Sequence, residues 1–158
     1  MKIYLKIALV ALALLLQLTL INLISLQGLK PDLILLVVVV FSLMGGAEEG
    51  CVSGFAAGLL QDIFSSGLLG VNALAKTVIG FSCGILRNKV FPEHFSSFIP
   101  LIAFIASLGH SLIIFFVLRA FGVEYTLSWS LKQIILPEAL FNSLLSPLVL
   151  LIITRVLK

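Results

Sequence analysis

The sequence has few charged residues. They make up 11% of the 158 residues, whereas a soluble domain carries about a quarter. Hydrophobic residues account for 61% and the mean hydropathy is +1.25, which predicts a polytopic membrane protein without room for a separate soluble domain. The formal net charge of +3 includes no basic cluster, so it bears on membrane topology and argues against nucleic-acid binding.

Cysteine and catalytic motifs are scarce as well. Cys51 and Cys83 lie inside apolar segments and form no CxxC pair, which favours packing over a disulfide or a metal site. The chain lacks an HExxH motif, a GxSxG motif and a P-loop, and no pair of membrane carboxylates is spaced like a protease dyad. We therefore predict no enzymatic activity, no cofactor and no metal.

Apolar runs separated by short polar breaks predict one all-α membrane domain, residues 1–158, with six transmembrane helices in a compact bundle. The helices are predicted at about residues 5–26, 32–46, 50–64, 71–87, 97–119 and 131–154. The first run resembles a signal peptide, but it is too long and no A-x-A-like cleavage site follows it. We interpret it as an uncleaved first helix that ends at Gly28 and at an exposed Lys30-Pro31-Asp32 turn.

The second and third segments are short for membrane spans. Glu48 and Glu49 separate them and are expected to lie in a hairpin at the membrane surface. Two tilted spans are one interpretation, and a re-entrant hairpin that includes both segments is the alternative.

The third segment contains a regular row of glycines. Gly46, Gly50, Gly54 and Gly58 recur at four-residue spacing, and the row continues to Asp62. On an α-helix such a row forms one slanted ridge, and overlapping GxxxG units let a second helix approach closely. The ridge is expected either to pack helices within the chain or to receive a partner's helix.

Asp62, Asn72 and Lys76 are predicted to form a polar cluster at the outer turn between the third and fourth helices. An ionisable group at membrane depth is costly unless it has a partner or a task. One hypothesis is an ion pair of Asp62 with Lys76, completed by Asn72, which also suits the N-cap of the fourth helix. The alternatives are partner binding and an ion or proton pathway that adds Glu138.

Among the polar residues inside the later helices, Glu138 and His110 are considered for a specific role. Glu138 follows Pro137, where a helix break frees backbone carbonyls, so we expect it to satisfy backbone groups through water or to face a cavity. His110 is interpreted as a hydrogen-bonded packing residue, because no metal-ligand spacing surrounds it.

Basic residues predict the orientation. If both termini are cytoplasmic, the inside has Lys2, Lys6, Arg87, Lys89, Arg155 and Lys158. The outside then has Lys30, Arg119 and Lys132, with Lys76 left uncounted inside the membrane. Six basic residues against three favour cytoplasmic termini by the positive-inside rule.

Three motifs in order resemble the rod shape-determining protein MreD family. Lys30-Pro31-Asp32 resembles that family's (R/K)PD-type entry to the second helix. Residues 54–62, GFAAGLLQD, are similar to its G-x3-G-L-x2-D signature, and residues 67–74, GLLGVNAL, to its G-x2-G-x-N-A-L continuation. The close match covers roughly residues 30–85, and the remainder agrees in hydropathy.

This resemblance implies a non-enzymatic scaffold of the bacterial cell-elongation machinery in the cytoplasmic (inner) membrane. Its implied partner is the bitopic protein MreC, and through it MreB and the glycosyltransferase–transpeptidase pair that inserts lateral peptidoglycan. In that role Gly50, Gly54 and Gly58 would pack closely against the partner, with Asp62 and Asn72 holding the outer turn.

The resemblance also implies a fold like that of the substrate-binding subunits of energy-coupling-factor vitamin transporters. The alternative function is therefore a vitamin-binding subunit with an outward pocket near Asp62, Asn72 and Lys76. Those subunits carry an A-x3-A docking pattern on the first helix, and the alanines of the first helix here do not have that spacing.

Overall fold

The computed structural model describes residues 3–23, 30–65, 67–87, 95–124 and 126–157. Within these ranges the chain contains no strand and forms six helices. They are α1 (Ile3–Leu23), α2 (Leu33–Gly45), α3 (Ala47–Phe64), α4 (Val71–Leu86), α5 (Phe95–Ala120) and α6 (Leu127–Leu157). The predicted breaks at Gly28 and at residues 88–94 lie outside the described residues.

Two helix starts differ from the predicted bounds by more than two residues. α3 begins at Ala47, so Glu48 and Glu49 lie in its first turn, directly after the hairpin at Gly46, and not between the two helices as predicted. Gly46 alone separates α2 from α3; its φ of +96° is a left-handed conformation that favours glycine, so it is not part of a helical ridge. α6 begins at Leu127, four residues earlier than predicted.

Two of the helices are long and apolar enough to cross a membrane, Ser97–Ala120 and Leu127–Leu157. Shorter apolar helical segments are Tyr4–Thr19, Leu33–Gly45 and Val71–Leu86. Two of the described helices therefore have the length and composition of a membrane span, and spanning by all six stays a prediction.

The centre of the fold is α2. Every residue from Ile34 to Leu43 is buried, and α2 contacts each of the other five helices. Its sequence is apolar on all sides, which is the pattern of a helix surrounded by others. Its 13 residues give a length of about 20 Å, so a short helix can lie wholly inside the bundle.

The glycine ridge packs α3 onto α4. A Cβ atom at Gly50 would overlap the carbonyl of Gly80, and one at Gly80 would overlap the carbonyl of Gly50. Gly54 lies equally close to the carbonyl of Lys76, and Gly58 would place a Cβ atom 2.6 Å from the Cα of Ala73. The ridge therefore packs two helices within the chain, which is the first of its two expected roles, and α4 covers the surface that the alternative assigned to a partner's helix.

Candidate functional site: a buried polar cluster

The polar cluster is centred on Lys76, whose side chain is fully buried on α4. Its Nζ atom donates to Asp32 Oδ2 over 2.5 Å and to Asn72 Oδ1 over 3.4 Å. The third neighbour is His110 Nε2, at 3.0 Å. An ammonium group has three donors and no acceptor, so these three contacts use its full hydrogen-bonding capacity.

Asp32 is the anion of this cluster and also begins α2. Its Oδ1 accepts a hydrogen bond from the Leu35 N–H at 2.9 Å, which makes it the N-cap of the helix that follows Pro31. Its own N–H donates to Asn142 Oδ1 at 2.9 Å. Asp32 is only 4% exposed, so its prediction in an exposed turn was wrong.

A second carboxylate closes the turn between α3 and α4. Asp62 accepts the backbone N–H groups of Gly70, Asn72 and Ala73 at 2.9, 3.2 and 3.0 Å. It also accepts the Asn72 side-chain amide at 2.9 Å. Asp62 thus satisfies the free N–H groups at the start of α4, where Gly70, at φ +97°, occupies the N-cap position predicted for Asn72.

The predicted ion pair between Asp62 and Lys76 was therefore wrong, since Lys76 pairs with Asp32. Asn72 joins the two sites, because its amide group donates to Asp62 while its carbonyl accepts from Lys76. The outer-turn residues do lie together, but as a capping site and a separate ion pair.

Glu138 brings α6 into the cluster. Its Oε2 accepts from Ser111 Oγ at 3.2 Å, and it lines a cavity of about 190 Å³ together with His110. One ligand atom from each of Asp32, His110 and Glu138 lies within 4.8 Å of the others, a donor set that suits a divalent cation. The Lys76 ammonium already contacts Asp32 and His110, however, and so supplies the positive charge beside these two residues, while Glu138 is not among its hydrogen-bond partners.

Hydrogen bonds extend the cluster across the helices around α2. Asn142 Nδ2 on α6 donates to Ser107 Oγ on α5 at 2.9 Å, while Asn142 Oδ1 accepts from Asp32. Asn142 and Ser107 are both fully buried. The network ties α2, α4, α5 and α6 to one arrangement, because each broken contact would leave a buried polar group without a partner.

Sequence reasoning missed this grouping. Lys76 was grouped with Asp62 and Asn72, and Glu138 was added to them only as part of a possible ion pathway. His110 was interpreted alone, and Asn142 and Ser107 were assigned no role. The sequence does show that several polar side chains occur in otherwise apolar helices. Such side chains are expected to hydrogen-bond to one another in the folded protein.

A second feature is an open groove of about 540 Å³ along α1 and α3. Its walls are mostly apolar, with small side chains from α3 and a charged end. The residues that line it are Lys6, Ile7, Val10, Ala11, Phe41, Glu48, Glu49, Val52, Ser53, Ala56, Ala57 and Leu60. Lys6 and Glu49 form an ion pair there.

Comparison with known proteins gives one match. The family model for rod shape-determining protein MreD matches residues 1–158, which is the whole chain. No curated protein and no solved structure matches the chain. The similarity of fold to the substrate-binding subunits of energy-coupling-factor transporters thus stays a prediction.

Proposed function

The chain belongs to the rod shape-determining protein MreD family, and we propose that it is a non-enzymatic scaffold subunit of the bacterial cell-elongation complex. In this proposal it binds MreC directly and supports lateral peptidoglycan synthesis. MreB and the glycosyltransferase–transpeptidase pair associate with it indirectly. The whole-chain family match is the observation that carries the proposal.

The proposed contact surface for the partner is the groove along α1 and α3. The glycine face of α3 is covered by α4, so the opposite side of α3 is the surface of this helix that a partner can reach. Ser53, Ala56 and Ala57 give the groove a shallow floor, which allows the backbone of a second helix to come close. Val52 and Ile7 are 70% and 60% exposed and would pack against its side chains.

We propose a multi-pass location in the bacterial inner membrane with six spans and both termini in the cytoplasm. Two contacts indicate that basic residues assigned to the inside lie at the same end of the helix bundle. Lys6 pairs with Glu49, and Arg87 Nη1 donates to the Gly45 carbonyl at 3.0 Å. Lys6 and Arg87 therefore both lie near the junction of α2 and α3, as the positive-inside rule requires of a cytoplasmic end.

Co-purification tests the proposal. The chain, tagged at its C-terminus and extracted in mild detergent from its native membrane, is expected to recover MreC. Ala56→Trp fills the groove and should reduce that recovery at least tenfold. Ala8→Trp, an exposed position of α1 that does not line the groove, should leave recovery unchanged.

Other outcomes have definite meanings. Absence of MreC from the wild-type extract would contradict the scaffold role. Equal recovery by both tryptophan variants would contradict only the groove as the contact surface. Recovery of paired ATPases with a transmembrane coupling subunit would favour the vitamin-transporter alternative, which neither the family match nor a solved structure supports.

A further inference from the structure

The cavity between α5 and α6 has features of a ligand site that the scaffold role does not use. Its volume of about 190 Å³ exceeds that of a single water several-fold. Ile114, Phe115 and Ile134 give it apolar walls, while His110, Ser111 and Glu138 contribute polar groups. A mostly apolar cavity with a few converging polar groups is the usual form of a small-molecule site.

The wall contributed by α6 is irregular at this point. Residues Leu131–Ile135 form a π-helical turn, in which the Leu136 N–H donates to the Leu131 carbonyl five residues earlier. Pro137 follows and has no N–H to continue the regular pattern. π-Helical turns occur often at functional sites, and this one forms part of the cavity wall through Ile134 and Ile135.

His110 lines the cavity, but its free ring nitrogen is enclosed in the protein and does not open into the cavity. Lys76 can only donate, so His110 Nε2 accepts its hydrogen bond and the ring proton lies on Nδ1. The Nδ1 atom is buried and, among the described residues, has no hydrogen-bond partner. His110 is 2% exposed, so its ring closes part of the cavity wall and the polar partner of a ligand has to be another residue.

Glu138 leaves an unused acceptor on the same cavity. Within the described part of the chain its hydrogen bond comes from Ser111, and no lysine or arginine lies at ion-pair distance from it. The three donors of Lys76 are directed to Asp32, Asn72 and His110. A carboxylate among apolar walls attracts a ligand cation that can donate hydrogen bonds.

We propose that this cavity binds a small amphipathic primary amine. The ammonium pairs with Glu138, and an apolar body packs against Ile114 and Phe115. This chemistry occurs in free amphipathic amino alcohols and in the ethanolamine headgroup of a membrane lipid. The site is separate from the α1–α3 groove, so the inference is independent of the scaffold role.

Calorimetric titration of the purified chain in detergent tests the site. The probe is 2-amino-1-hexanol, and the matched control is 1,2-hexanediol, which keeps the body and the oxygen but has no amine. We expect saturable binding of the amine and at least tenfold weaker binding of the diol. Equal binding of the amine and the diol, or amine binding that does not saturate, would overturn the proposal. Both results are obtained on the unaltered chain.

Variants locate the ligand. Glu138→Gln should weaken amine binding at least tenfold, whereas Glu124→Gln, the same change at an exposed carboxylate, should leave it unchanged. Unchanged affinity in a folded E138Q protein would overturn the assignment. If E138Q does not fold, the comparison of amine with diol on the unaltered chain still decides.

Competition with two lipids identifies the source of the amine. In nanodiscs, phosphatidylethanolamine should compete with the probe and phosphatidylcholine, which has no N–H donor, should not. Competition by phosphatidylethanolamine assigns a lipid ligand, and saturable probe binding unaffected by either lipid assigns a free amine. Equal competition by both lipids would contradict recognition of the amine N–H groups.

Discussion

Lys76 and Asp32 form a buried ion pair between residues 44 positions apart in the chain, with Nζ and Oδ2 separated by 2.5 Å. The pair joins the second turn of α4 to the N-cap of α2, the helix at the centre of the fold. Two buried charges are tolerated here because each residue is the ion-pair partner of the other. The pair therefore determines how α2 lies against the α3–α4 hairpin.

Removal of one member of this pair should be strongly destabilising. Lys76→Met leaves the buried Asp32 carboxylate without its cation, and we expect a loss of about 3–5 kcal/mol in the free energy of unfolding. The double variant Asp32→Asn with Lys76→Met should lose less than the sum of the two single changes. Reversible unfolding in detergent micelles measures both, and additive losses would show that the two residues are not coupled.

The α3–α4 contact should not tolerate a methyl group. Gly54→Ala places a Cβ atom against the carbonyl of Lys76, so we expect a loss of about 1–3 kcal/mol or more. Gly67→Ala is the matched control, because the nearest atom to its Cβ is Ser65 Oγ at an ordinary 3.7 Å. Thermal unfolding distinguishes them, and equal midpoints for the two variants would contradict the close approach.

The same variant separates two roles of the ridge. If Gly54 acts within the chain, Gly54→Ala should lower the amount of folded protein in the membrane even when no partner is expressed. A protein that folds normally and loses only its partner would instead restore the partner-binding interpretation of this glycine row.

Asp62 should stabilise the start of α4 through its charge and both oxygens. Asp62→Asn replaces one acceptor oxygen by an NH₂ group that faces backbone donors, and we expect a loss of about 1–3 kcal/mol. Amide hydrogen exchange at Ala73 measures the loss of capping at the start of α4, and we expect faster exchange at this residue. Unchanged exchange at Ala73 would mean that the carboxylate does not cap the helix.

Local patterns in the sequence were sufficient for part of the fold. The spacing of apolar runs anticipated six helices, since hydropathy depends on neighbouring residues only. Four-residue glycine spacing anticipated a close helix contact, and Gly50, Gly54 and Gly58 do make one with α4. The motif around Lys30-Pro31-Asp32 anticipated the family, which the whole-chain match confirms.

Long-range pairing could not be predicted in the same way. Asp62 is nearer than Asp32 to Lys76 in the sequence, and the ion pair was therefore expected in the wrong place. The choice depends on how α2 packs against α4, and no local pattern encodes this. The covering of the glycine ridge by α4 could not be predicted for a related reason, because interior and lipid-facing positions are similarly apolar in a membrane helix.

The most direct measurement of the central claim is photo-crosslinking in the native membrane. A photoreactive amino acid placed at Ala56 lies in the α1–α3 groove, and one placed at Leu144, which is 79% exposed on α6, serves as the control. The account predicts a crosslink from Ala56 to the membrane helix of MreC and none from Leu144. A crosslink to MreC from Leu144 and not from Ala56 would contradict the groove as the partner's site, and none from either position would contradict the direct contact itself.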